Sequence, residues 1–333
     1  MGLRLHEVSI VESSDCFFEG EGPNHLITGN GFTMAYPTLG SLFSYANLLS
    51  NANSNSNINS MFTNFGTTNF EEILRVYDDC SKVVNIYEPS NTRLIDNLKN
   101  DTINLKEDFI NSITSVHPTS STSLSANHTS RCSVFLRSFT NVYTTNYDLF
   151  LYWVINSQNL TSHFSDGFTT HGGMGLHWNP DINGQNLFFL HGGLHIYTDM
   201  NKEICKITSS SINSIILQLN QNLLASNYPL VILEGSSLQK KQAIKRNKYL
   251  SYCYRSLASL TGKLLVYGMS FQFDDHILRK IFESNLSTIY FCLYGNSSQK
   301  QASAVQIQQA IRNLNMPINA NVVFIDSSAF TIW

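Results

Sequence analysis

Apolar positions along the chain follow two rhythms. From Asn69 onward Phe70, Ile73, Leu74 and Tyr77 recur at three- and four-residue steps, the spacing of one helix face, and Asn69 with Glu72 forms a capping pair at its start. A second helical stretch runs from Leu105 to Val116, and His117-Pro118 with the Ser/Thr-rich run to Ser125 ends it. Residues 69–138 therefore read as a helical insertion between strands. After Phe139 the rhythm alternates, with a strand over 140–145, a helix from Tyr147 to Ile155 and a long glycine-containing loop over 157–185. Strands at 187–191, 195–198 and 204–207 lead to a helix over 210–224 and a strand over 230–233. Helices at 248–260, 274–284 and 299–314 then alternate with strands at 263–268, 288–294 and 321–325.

Apolar strands separated by helices predict an α/β fold, a Rossmann-like, mostly parallel sheet with helices on both faces and one helical insertion. One domain over 1–333 holds all of it. His25-Leu26-Ile27-Thr28 running into Gly29-Asn30-Gly31-Phe32-Thr33 reads as a further strand and a glycine turn suited to a phosphate or ribose. Residues 50–60, Asn alternating with small polar side chains, offer little to bury and read as a surface loop.

Composition narrows the classes. Hydrophobic residues make up 42% of the 333 and charged residues 14%, enough for a large core, while a net charge of -3 provides no basic excess for a polyanion. Direct nucleic-acid binding is not expected. The six cysteines fall in no C-x-x-C spacing, so reduced thiols in a cytoplasmic protein are expected, with no zinc. The first residues carry no signal-peptide pattern, and no apolar run approaches the ~20 residues of a membrane helix.

The chemistry gathers where strands end. Thr144-Thr145-Asn146-Tyr147-Asp148 lies at a strand-to-helix junction, where Asn146 and Asp148 suit either helix capping or a ligand. His191 ends an apolar strand before Gly192-Gly193, a pair that admits a ligand close to the backbone. His171, His177, His191 and His195 raise a metal site as a rival, but the glycine pair breaks the helix that an HxxxH site needs. Gly268-Met269-Ser270 and Asp274 follow another apolar strand: Ser270 suits a ribose or phosphate oxygen, and Asp274 a helix cap or a ribose hydroxyl. The basic run from Lys240 to Lys248 reads as a solvated surface or a phosphate grip.

Gly29-Asn30-Gly31-Phe32-Thr33, Thr144–Asp148, Leu190-His191-Gly192 and Val266–Ser270 followed by Asp274 stand in an order that resembles the sirtuin-like domains of bacterial NAD-consuming defence proteins. The resemblance spans residues 24–290. It implies an NAD+ glycohydrolase that depletes NAD in abortive infection, with a non-catalytic NAD or ADP-ribose sensor and an ADP-ribosyltransferase as alternatives. Asn146, Asp148 and His191 would then form the catalytic set, and Gly29, Asn30, Gly31, Phe32, Thr145, Gly268, Ser270 and Asp274 would bind the dinucleotide. Deacylating sirtuins carry four zinc cysteines between the histidine and the late strands, where this chain has only Cys205 and Cys253. NAD enters as substrate, with no further cofactor. Because unregulated NAD loss kills the host, a homo-oligomer or an activating defence partner is expected to gate the site.

Overall fold

The computed structural model describes residues 8–20, 22–170, 175–209 and 214–333. Its strands are β1 (Ile10–Val11), β2 (Asn24–Thr28), β3 (Asn141–Thr144), β4 (Phe168–Thr170), β5 (Leu176–Trp178), β6 (Leu187–Phe189), β7 (Ile196–Thr198), β8 (Ile204–Lys206), β9 (Thr261–Tyr267), β10 (Asn285–Leu293) and β11 (Asn321–Asp326). Seven of them form a parallel sheet in the order β1-β11-β10-β9-β2-β3-β6, with helices on both faces, the Rossmann-like arrangement expected. Its central strands carry Leu26, Ile27, Val142, Leu264, Leu265 and Ile289, all without solvent exposure, because a parallel strand covered on both sides buries both of its faces.

Between β2 and β3 the chain is wholly helical, and the insertion begins well before residue 69. The helix Ser56–Phe65 occupies part of the expected loop: Asn55 caps it, and Ile58 and Phe62 are its buried face inside an otherwise polar run. Asn69 caps Phe70–Tyr87 as expected, but its side chain accepts from the Glu71 N–H, while Glu72 accepts from Thr67. The next helix spans Thr92–Val116, thirteen residues longer at its N-terminus than the apolar spacing indicated. Ala126–Leu136 completes the insertion.

Three further departures have physical causes. The loop over 157–185 contains β4 and β5, which with β8 and β7 make a small antiparallel sheet; three-residue strands are too short to display alternation. Residues 230–233 form no ladder strand and make only an isolated bridge, Val231 to Gly192, because their hydrogen bonds are spent on the turn after β6. The basic run is mostly the helix Ser237–Arg246, which precedes Lys248–Ser256. Ile215–Leu224 occupies the described part of the helix expected over 210–224; residues 210–213 lie outside the described residues. Among the described residues no helix is long and apolar enough to cross a membrane.

Candidate functional site

From β2 the chain steps to β3 and then β6 on one side, and it returns to β9 on the other. The C-terminal ends of β2 and β9 therefore flank the point where strand order reverses, the position at which parallel sheets open a ligand crevice. Here the turns after the two strands interlock. The Gly29 N–H donates to the Tyr267 carbonyl at 3.0 Å, and the Gly31 N–H to the Gly268 carbonyl at 2.8 Å. A Cβ on Gly31 would stand 2.5 Å from the Gly268 Cα, so glycine is required at Gly31 by backbone against backbone. Gly268 itself has φ +66°, a left-handed conformation that favours glycine.

Beside this interlock lies a cavity of about 380 Å³ that gathers Gly29, Asn30, Thr145, Asn146, Asp148, His191, Gly268, Ser270 and Asp274 from four distant stretches of sequence. Phe43, Leu48, Phe109 and Ile113 of the insertion supply an apolar wall. Across the Gly268-Met269-Ser270 turn the cavity adjoins a groove of about 1670 Å³ that runs past the ends of β9, β10 and β11 and includes Gly31. Phe32 lines neither space. Its ring is fully buried and packs 5.0 Å from the Trp333 ring, so this side chain, expected to bind the dinucleotide, faces the core.

Thr145-Asn146-Tyr147-Asp148 bridges β3 to the helix Phe150–Ser157. The Asn146 amide Nδ2 donates to Thr33 Oγ1 at 3.0 Å, and that hydroxyl donates to Asp148 Oδ2 at 2.7 Å. Asp148 Oδ1 accepts the Phe150 N–H at 2.9 Å, so both of its oxygens are engaged by protein groups. Burial raises this carboxyl above the ordinary range, against hydrogen bonds from the Phe150 N–H and Thr33 that favour the charged form. Asn146 Oδ1 is buried without a partner. Such an orphaned acceptor costs about 1–3 kcal/mol unless a ligand or water meets it.

His191 is fixed by its backbone. Its carbonyl accepts from the Ile232 N–H at 3.0 Å, the Gly193 N–H donates to the Leu230 carbonyl at 2.9 Å, and Gly192 takes φ +77°. The apolar segment expected as a strand thus serves as a clamp on the histidine turn. The imidazole lies near the Tyr147 and His276 rings, with centroids 6.4 and 6.0 Å away. Burial, with the Lys240 charge, holds it well below the usual histidine range and therefore neutral. Its Nε2 stands 3.5 Å from Asp274 Oδ1, beyond hydrogen-bond length, and has no other partner.

Asp274 directs its carboxylate elsewhere. Lys240 Nζ, fully buried, donates to Asp274 Oδ1 and to Glu71 Oε1, each at 2.9 Å. Burial pulls the ammonium down, but the two carboxylates outweigh it and hold its pKa above the ordinary lysine value. Glu71 is pushed up to about 7, by burial first and against the pull of Lys240. The lysine expected on a solvated face is thus the most enclosed cation of the site. His191, Asp274 and His276 bring three metal-ligating atoms within 4.8 Å of one another, while Asp274 Oδ1 also accepts from the Lys240 ammonium. The earlier histidine cluster disperses: His195 packs against Tyr152 and Phe189, His177 lies 3.6 Å from Asp199, and His171 is outside the described residues.

The buried imidazoles carry a pH prediction. Burial lowers His25, His117 (to about 4), His191, His195 and His276 (to about 3). Below the unfolded value near ~6.5 the unfolded chain binds these protons and the folded chain does not. Stability is therefore full above that value and falls as pH drops toward 4, at roughly 1.4 kcal/mol per histidine per pH unit. Glu71 opposes this, since its raised pKa lets the folded state hold a proton that the unfolded state releases between about 4.5 and about 7. Asp108, Asp148 and Asp275, also raised by burial, act in the same sense as Glu71. Five lowered imidazoles outweigh these carboxyls: stability in urea unfolding should be lower at pH 5 than at pH 7.5, and equal stabilities would contradict this balance.

Sequence reasoning missed Thr33, Glu71, Lys240 and His276 as site residues. Thr33 stood inside the glycine block, three residues after Asn30, and its helical spacing was the available signal. Glu71 resembled an ordinary first-turn acid, and nothing in the basic run distinguished Lys240 except its place four residues before buried Ile244.

Residues 26–333 match a family model described as a domain of unknown function (DUF4917). No curated protein matches the chain.

Proposed function

We propose that this chain, which belongs to the DUF4917 family, is an NAD+ glycohydrolase that cleaves the bond between the nicotinamide nitrogen and the ribose C1′. The observation that carries the reading is the convergence of four separate sequence blocks on one cavity at the switch point of a parallel sheet. The sirtuin-like resemblance supplies the same four blocks in the same order and, with them, the NAD-depleting defence role.

Nicotinamide leaves as a neutral base, taking the electron pair of the C–N bond, so the leaving group needs no proton. What remains is to stabilise a ribose with oxocarbenium character and to add water at C1′. The Asn146 carbonyl oxygen, without a protein partner, accepts from a ribose hydroxyl or orients the water. His191, neutral near pH 7, takes the proton that the water releases and passes it to solvent. Asp148 acts through Thr33, whose hydroxyl it holds beneath the Asn146 amide, and is a positioning residue in this reading. Phe43, Leu48, Phe109 and Ile113 give the nicotinamide ring an apolar wall. The adenosine half extends past Ser270 into the larger groove; the Gly29 and Gly31 N–H groups are already bonded to Tyr267 and Gly268, while Ser270 and Gln272, which line both spaces, offer polar contacts at the crossing.

Incubation with NAD+ in ¹⁸O-water, followed by mass spectrometry, tests the reaction. Hydrolysis gives free nicotinamide and ADP-ribose in equal amounts, with one ¹⁸O at C1′. NAD+ bound but unchanged would overturn it in favour of a sensor, and ADP-ribose attached to a macromolecule in favour of a transferase.

A further inference from the structure

We propose that Glu71, Lys240 and Asp274 form a buried relay that fixes the tautomer of His191, with the proton on Nε2 and the Nδ1 lone pair offered to the cavity. The relay deepens the glycohydrolase reading, because it rests on His191 as the proton acceptor.

Its three members come from remote parts of the chain: the second residue of Phe70–Tyr87, the helix Ser237–Arg246 and the turn after β9. Enclosing an ammonium and two carboxylates strips each ion of water at a cost that pairing only returns, so apolar side chains would hold these elements together at least as well. Specific placement is what the ions add. Asp274 makes this concrete. It occupies the N-cap position of the helix Asp275–Phe282, where an aspartate ordinarily accepts from the first turn, yet it makes no side-chain hydrogen bond to that helix. Its Oδ1 is instead turned to Lys240 Nζ at 2.9 Å and His191 Nε2 at 3.5 Å.

A neutral imidazole carries one N–H, and the charge of a carboxylate facing one ring nitrogen favours the proton there, even at 3.5 Å and without a formed hydrogen bond. Nε2 is buried without a hydrogen-bond partner and faces the Asp274 carboxylate, while the ring lines the cavity with Nδ1 bonded to none of the described residues. The proton therefore belongs on Nε2, and Nδ1 is the free base. Lys240 has a second part: by sharing Asp274 Oδ1 it tempers the carboxylate, so that His191 is oriented without being drawn into a resting imidazolium. Glu71 balances the remaining ammonium charge. His276 differs from Asp274 in carrying no negative charge: its Nδ1 pairs with Ser237 Oγ at 3.1 Å and its ring is held neutral, with a pKa lowered to about 3, by burial. Asp274, Lys240 and Glu71 are thus positioning residues.

Nitrogen-15 NMR of the histidine rings reads this directly and needs no turnover. With His191 assigned by the resonance missing from His191→Asn, the wild-type ring should be neutral and protonated on Nε2, and Asp274→Asn should mix the two tautomers. In parallel, Asp274→Asn should lower kcat for nicotinamide release by about 10²–10³-fold, as expected for a mispositioned base, with KM for NAD+ changed less than about threefold. A purely structural Asp274 would leave the tautomer as it was and lower folded fraction and affinity together. Proton on Nδ1 in the wild type, or an unchanged tautomer in Asp274→Asn, overturns the relay. If that variant does not fold, the wild-type tautomer decides alone. A protein that releases no nicotinamide but shows the predicted tautomers would refute the glycohydrolase reading and leave the relay standing.

Discussion

His191→Ala should reduce nicotinamide release by about 10³-fold, and Asn146→Ala by about 10²-fold, while both variants remain folded. General-base catalysis contributes about 10²–10⁴-fold, and an orienting amide somewhat less, which sets these magnitudes. The expectation of intact folding has its own basis. The turn that bears His191 is held through main-chain bonds to Leu230 and Ile232, none of which uses the imidazole, and Nε2 makes no hydrogen bond that folding would miss. Asn146 is joined to Thr33 through Nδ2, so its loss frees one hydroxyl that still donates to Asp148. Steady-state release of nicotinamide, with circular dichroism of each variant, checks both halves; retention of activity within about threefold in both variants would contradict the assignment.

The second large effect is on stability. Lys240→Met should cost about 3–5 kcal/mol at pH 8, because it removes the cation that bonds both Glu71 and Asp274 and leaves two enclosed carboxylates without it. Methionine fills much of the same volume, so lost packing does not account for a cost of this size. Acid should soften the loss. Glu71 already sits at about 7 with Lys240 in place, and without the ammonium it rises further and accepts a proton as pH falls. The difference between variant and wild type in urea unfolding should therefore shrink from pH 8 to pH 5.5. A cost below about 1 kcal/mol at both pH values would show that the ion network does not bear on folding.

Much of this architecture is legible in the sequence because buried parallel strands announce themselves. Leu264–Tyr267, Ile289–Leu293 and Val322–Ile325 are apolar runs between amphipathic helices, and their order implies the sheet. The site blocks were legible for a related reason: polar residues that directly end an apolar strand have few local roles. What stayed hidden depends on tertiary context. Leu230–Leu233 has strand composition but spends its main-chain bonds on the His191 turn, and composition carries no record of the partner. The first half of Thr92–Val116 is rich in Asn, Asp and Lys, so its helical period emerges only once Ile95 and Leu105 are seen to be buried. Lys240 lies among other basic residues that reach solvent, and only the approach of Glu71, 169 positions away, and of Asp274 sets it apart. Phe32 shows the reverse error, since a residue within a ligand-like motif supports the floor from the core side.

The central claim is that Asn146 and His191 face one ribose. It is tested most directly by a crystal structure of the His191→Ala variant, slowed enough to hold its substrate, soaked with NAD+. The account predicts the nicotinamide ribose in the cavity of about 380 Å³, with a ribose hydroxyl or a C1′-directed water on Asn146 Oδ1, C1′ beside the space vacated by the imidazole, and adenosine beyond Ser270 in the larger groove. NAD+ bound with its ribose away from Asn146 and residue 191, or a cavity left empty at saturating NAD+, would contradict it.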